Sequence, residues 1–156
     1  MDISRLNLRG RMAYGLHCLL SLMKRNDIEI DNYKEEIDIL TQFTSAENLA
    51  DWDANAKGYI YEKYPDEVLV ELIPGLLDKL YWIGASELYT QPSDCRESEN
   101  LLREIIVILT ANSAPIPDIN AYSSYTLKSP ISTSDYFGEP FVFDCSQQAK
   151  KVNKLK

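Results

Sequence analysis

Apolar residues recur at spacings of three and four along much of the chain, the period of a helix with one buried face. Leu6, Met12, Leu16, Leu19, Leu20 and Met23 predict a helix over 3–25, with Asp2 or Ser4 as its cap. Gly10 and Gly15 each weaken that helix by about 1 kcal/mol relative to Ala, and allow a neighbouring helix to come close. A second helix is predicted over 31–44, capped by Asp31 and burying Tyr33, Ile37 and Leu40. Ser45 reads as the cap of a short helix through Leu49 and Trp52. Residues 55–64 are two-sided. Tyr59-Ile60-Tyr61 suits a strand, while Lys57, Tyr61 and Tyr64 keep helical spacing, and helix or irregular structure is the reading preferred.

Proline punctuates the next stretch, because it lacks the N–H that a helix leaves unpaired in its first turn. Pro65 opens a helix through Leu72, and Pro74 either kinks it or opens the next. Leu76, Leu77, Leu80 and Ile83 give that next helix an apolar face, ending near Tyr89. Asp94 and Glu97 form a capping box for a helix over about 95–112, which Pro115 and Pro117 stop. Residues 113–140 carry four prolines and eight Ser or Thr, and read as a long wrapping segment with a helical turn near 118–125. Phe141-Val142-Phe143 adds a short extended piece. The expected fold is mainly α: a single-domain bundle of about five helices over 1–148, with an irregular C-terminal segment and a basic tail at 149–156.

Composition narrows the class. The chain has 156 residues, 45% of them hydrophobic, enough for one core without disulfides or metal. Cys18, Cys95 and Cys145 are odd in number and widely spaced, which reads as reduced thiols in a cytoplasmic protein. Arg5, Arg9 and Arg11 before the run Met12–Met23 imitate a secretion signal. However, His17 interrupts the run, Lys24-Arg25 follow at once, and twelve residues fall short of the about 20 that span a bilayer. The segment is therefore expected to be a buried helix, with no membrane partner.

Charge changes the picture most. Against 16 Lys and Arg stand 24 Asp and Glu, a net charge of −8, which argues against a nucleic-acid partner. Residues 1–26 carry +4, residues 27–104 carry −13, and residues 105–156 carry +1. Glu29, Asp31, Glu35, Glu36 and Asp38 crowd ten residues, more than a favourable interaction with a helix N-terminus explains. Asp51, Asp53, Glu62, Asp66 and Glu67 surround Trp52, Tyr59, Tyr61 and Tyr64. Carboxylates among large rings have the composition of a protein-binding patch: rings supply desolvated contact area and charges steer a basic partner. The bland alternative is a solvated acidic surface with the rings turned into the core. The residues expected at a partner surface are Glu35, Glu36, Asp38, Asp51, Trp52, Asp53, Tyr61 and Glu62.

Catalytic motifs are missing. His17, the one histidine, sits beside Cys18, and neighbours on a helix point about 100° apart, so a buried structural His is expected. No Cys/His cluster for zinc, no Walker A run and no GxSxG elbow occurs, so no cofactor, no metal and no enzymatic activity are expected.

A small, acidic, mostly helical chain of this kind resembles in type the immunity proteins of bacterial toxin–immunity systems, including contact-dependent inhibition and polymorphic toxins. The resemblance rests on the acidic stretch Asp27–Glu104 and the patch around Asp51-Trp52-Asp53. It implies a stoichiometric inhibitor whose carboxylates meet the Lys and Arg of a basic toxin domain, often a nuclease, with one acidic face between basic ends. Two other readings stand beside it: a helical adaptor or regulatory protein that binds a cellular partner, and a hydrolase using paired carboxylates in a concave pocket.

Overall fold

Asn7 begins the central helix. Its side chain accepts the Gly10 N–H at 2.8 Å, and helix α1 runs Leu8–Arg25 from that cap. Asp2 and Ser4, the expected caps, instead hydrogen-bond to each other around a 3-10 turn at Ile3–Arg5. In this computed structural model, which describes residues 2–89, 96–127 and 136–144, every residue of α1 from Leu8 to Met23 is buried. Helices α2 (Lys34–Ser45), α5 (Leu72–Ala85) and α6 (Glu97–Ala111) pack around it. Gly15 permits that packing. A Cβ there would lie 2.6 Å from the Leu80 side chain of α5 and 3.5 Å from Leu102 of α6.

Two short helices complete the regular structure. Helix α3 (Leu49–Tyr59) packs on α2 and α5, and α4 (Asp66–Leu69) packs on α5. Among the described residues no strand occurs, and the one β-bridge joins Leu6 to Thr126. The mainly α bundle predicted from periodicity is the fold observed, built on one continuous hydrophobic core. Among the described residues, no helix is long and apolar enough to cross a membrane.

Boundaries differ from the sequence expectation where distant contacts decide them. A 3-10 turn at Ile30–Tyr33 precedes α2, so Asp31 does not cap it. Ser45 is the last residue of α2, and Asn48 caps α3 by accepting the Asp51 N–H at 3.1 Å. Residues 55–59 are helical, and the chain then turns through 60–64 with Ile60 fully buried. Pro65 caps only one helical turn, and Pro74 sits in the first turn of α5, where its missing N–H is not needed. Helix α5 stops at Ala85 rather than near Tyr89, because the following turn carries Glu87 into the interior. Asp94, Cys95, Cys145 and the basic tail lie outside the described residues.

Two buried arginines of α1 fasten the late part of the chain. Arg9 donates through Nε to the Gly138 carbonyl at 3.0 Å and through Nη1 to the Phe43 and Thr44 carbonyls at 2.7 and 3.3 Å. Arg11 donates through Nη1 to Ser98 Oγ at 2.8 Å and Tyr136 OH at 3.2 Å, and through Nε to the Leu6 carbonyl at 3.1 Å. Of the expected wrapping segment 113–140, residues 128–135 lie outside the described residues, and 113–127 packs along α1. Tyr14 OH donates to the Pro117 carbonyl at 2.8 Å, Ser21 Oγ donates to Pro115, and a kinked 3-10 stretch at Ile119–Tyr125 occupies the expected helical turn. Phe141-Val142-Phe143 joins no ladder among the described residues. It is held by Phe141 N–H donating to the Thr44 carbonyl at 2.8 Å and by the Phe141 ring stacking 4.0 Å from Tyr125.

Candidate functional site

The acidic run on α2 divides by helical geometry, since successive residues point about 100° apart. Glu35 and Asp38 are exposed, and Asp38 pairs with Lys34 at 3.4 Å. Glu36 is 3% exposed and turns inward. It pairs with Lys63 and accepts from Tyr64 OH at 3.2 Å, so it ties the 60–64 turn to α2. Burial first, and the Glu36 carboxylate second, push the Tyr64 phenol up. The Lys63 ammonium also lies 5.6 Å from the Tyr64 ring centre.

Helix α3 divides the same way. Asp51 is exposed, whereas Trp52 is 3% exposed, with its indole N–H donating to the Ile39 carbonyl at 2.7 Å. Its ring meets Phe43 edge-on at 4.7 Å and lies near-parallel to Tyr81 at 6.0 Å. Asp53 is half-buried and accepts from Tyr81 OH at 2.7 Å and Tyr89 OH at 3.3 Å. Tyr61 is 47% exposed, stacks on Tyr81 at 6.1 Å and meets the Trp82 edge at 5.3 Å. Glu62 is exposed and pairs with Lys57 at 3.7 Å.

Of the residues expected at a partner surface, Trp52, Asp53 and Tyr61 thus converge on Tyr81. Glu36 and Trp52 are interior residues, a correction that follows from their burial, and they act on the surface only through what they hold in place. The rings split between both expectations: Trp52 belongs to the core, while Tyr59 and Tyr61 remain about half exposed. Tyr81, Trp82 and Tyr89 were not foreseen as parts of this patch. The Tyr81-Trp82 dipeptide was the available signal, but its register against α3 depends on tertiary packing.

Basic side chains nearby are already committed. Lys34, Lys57 and Lys63, the basic side chains of residues 27–71, are each held by a carboxylate within 4.0 Å. Glu29, Asp31, Glu35, Asp51, Asp66 and Glu67 are exposed, and among the described residues none of them joins an ion pair. The surface of 27–71 therefore keeps a surplus of negative charge beside exposed tyrosines.

Other chemistry is sparse. His17 is buried with Nδ1 2.9 Å from Tyr122 OH, and burial pushes the adjacent Cys18 thiol up, away from the thiolate a nucleophile needs. No group of three metal-ligating side chains occurs among the described residues. The Asp78 carboxyl is pushed up by burial and by the neighbouring Asp66, against the lowering influence of Lys79 and Trp82. One cleft of about 410 Å³ is lined by Arg9, Glu47, the start of α3, Leu88, Tyr89, Phe137 and Gly138. A smaller one of about 260 Å³ is lined by residues between Ala54 and Glu62. Each of these two clefts has one carboxylate in its wall. Compared with protein-family models, with curated proteins and with solved structures, the chain matches none.

Proposed function

We propose that this protein is an immunity-type inhibitor that binds a basic toxin domain through the acidic, tyrosine-bearing surface built from α2, α3 and the 60–64 turn. The observation that carries the reading is the unneutralised surplus: Glu29, Asp31, Glu35 and Asp51 are exposed and outside every described ion pair, while the nearby lysines are occupied. Such carboxylates raise the association rate of a cationic partner and lose that effect in salt. Tyr61 and Tyr89, 47% and 73% exposed, supply rings whose positions are set by Tyr81 and Asp53, so little order is lost when a partner covers them.

The test is co-purification with the product of the neighbouring reading frame, followed by association kinetics at low and high salt. Replacing Glu35, Asp51 and Glu67 together by Lys is expected to slow association by about tenfold or more at low salt and to flatten the salt dependence. These side chains are exposed, so folding is retained. Association that is indifferent to both salt and substitution contradicts the reading. Capture of a cellular regulatory protein in place of a toxin assigns the chain to the adaptors instead.

A further inference from the structure

The larger cleft has a buried arginine and an exposed glutamate in its wall. Arg9, 4% exposed, forms part of its wall. Its Nε and Nη1 are spent on the carbonyls of Gly138, Phe43 and Thr44, which leaves Nη2 without an acceptor among the described residues. No carboxylate lies within 4.0 Å of this guanidinium among the described residues, and burial pulls its pKa below the ordinary value with nothing to restore it. Three carbonyls and the Phe43 ring, its centre 6.0 Å from the guanidinium carbon, offset part of its lost hydration, and an anion reaching Nη2 adds the counter-charge they do not supply.

The beginning of α3 borders the same cleft. Asn48 Oδ1 takes the Asp51 N–H, and the Asn48 carbonyl takes the Trp52 N–H, which leaves the Leu49 and Ala50 amides without partners among the described residues. Both residues line the cleft. Unpaired first-turn amides and the positive end of an eleven-residue helix favour negative charge at that point. Leu49, Leu88, Tyr89 and Phe137 furnish the rest of the wall, largely apolar, and the volume falls in the range of small-molecule sites. Glu47, the one carboxylate of the wall, is exposed, so solvent screens its charge.

We propose that this cleft binds a small organic carboxylate with an apolar or aromatic body, the carboxylate received by Arg9 Nη2 and the Leu49 and Ala50 amides, the body lying along Leu88, Tyr89 and Phe137. This site does not rest on the inhibitor reading, since it takes a small anion rather than a cationic protein; Tyr89 and the start of α3 border both surfaces.

Titration of 3-phenylpropionate into the ¹⁵N-labelled protein tests it. Saturable shifts of the Leu49 and Ala50 amides and of the Arg9 side-chain resonance are expected at millimolar ligand. The uncharged 3-phenylpropanamide is expected to bind about tenfold more weakly or worse, and inorganic phosphate, which lacks the body, likewise. Arg9 also holds α2, so its replacement threatens the fold. Ala50→Glu keeps Arg9 and places a negative charge in the exposed first turn of α3, where it suits the helix. That variant is expected to weaken phenylpropionate binding by about tenfold or more with an unchanged amide spectrum elsewhere. No saturable shift, equal binding of the amide, tighter binding of phosphate, or full binding by the Ala50→Glu variant each overturns the proposal.

Discussion

Arg11 and Glu87 face each other inside the protein, Nη1 to Oε2 at 3.9 Å, and Tyr136 OH links them by donating to Glu87 Oε1 at 2.7 Å while accepting from Arg11 at 3.2 Å. Both charges are almost wholly buried, so each depends on the other and on Ser98 and Leu6 to offset lost hydration. Removing one partner leaves a charge with too few contacts. Arg11→Met is expected to destabilise by about 3–5 kcal/mol, and Arg11→Met with Glu87→Leu to recover part of that loss. Urea unfolding measures both. Single variants that each lose less than about 1 kcal/mol contradict the assignment of this pair as an interdependent unit.

The same network predicts alkaline sensitivity. Burial, then the hydrogen bond to Glu87, push Tyr136 up to about 12, against about 10 for a free phenol. The folded state therefore holds this proton more tightly than the unfolded chain. Its contribution is complete below about pH 10 and is lost as pH rises towards 12, with a slope of up to about 1.4 kcal/mol per pH unit. Tyr14 and Tyr81 are pushed the same way, chiefly by burial, and steepen the fall. Unfolding free energy followed from pH 9 upwards in the parent and in Tyr136→Phe checks this: the variant must show the shallower decline.

Gly84 is where α5 lets the Trp52 ring in. A Cβ built there falls 2.7 and 2.9 Å from two carbons of the indole and 3.1 Å from Met12. Ala is the better helix former by about 1 kcal/mol, yet Gly84→Ala is expected to destabilise by about 1–3 kcal/mol because the rigid ring cannot yield. Thermal unfolding decides the sign. The loss is expected to shrink when Trp52 is replaced by Leu in the same chain, and a plain gain in stability from Gly84→Ala defeats the close-approach argument.

Two acids on α2, two residues apart, have unequal fates. Glu36→Ala strips the buried end of the Lys63 and Tyr64 contacts and is expected to cost about 2 kcal/mol. Asp38→Ala removes an exposed pair with Lys34 and is expected to stay within about 0.5 kcal/mol. Denaturation midpoints of both variants in one buffer make the comparison. Equal losses contradict the division of this helix into inward and outward acids.

That contrast also marks what the amino-acid order reveals. The apolar faces of α1, α5 and α6 are legible because periodicity is local, and the glycine at 15 is legible as a site of close approach. Caps are less so. Asp2, Ser4 and Asn7 are all chemically able to start α1, and the backbone pairing of residues 5–7 with 125–127 selects Asn7. Glu36 and Asp38 look alike in the charge pattern; helical phase turns one of them inward, and the arrival of Lys63 and Tyr64 from the 60–64 turn gives that inward acid its partners. The Arg9 cleft was invisible because its walls come from residues 9, 47–50, 88–89 and 137–138, which no spacing rule connects.

The segment 136–144 reaches back to three elements made long before it: Tyr136 to Arg11, the Gly138 carbonyl to Arg9, and Phe141 to Thr44 and Tyr125. During synthesis, a chain that has emerged only to residue 127 already has its helices but must leave two arginines short of acceptors. Completion of the interior waits for residues 136–144, so a chain cut off before them presents open charged gaps and is expected to be cleared by proteases rather than to accumulate.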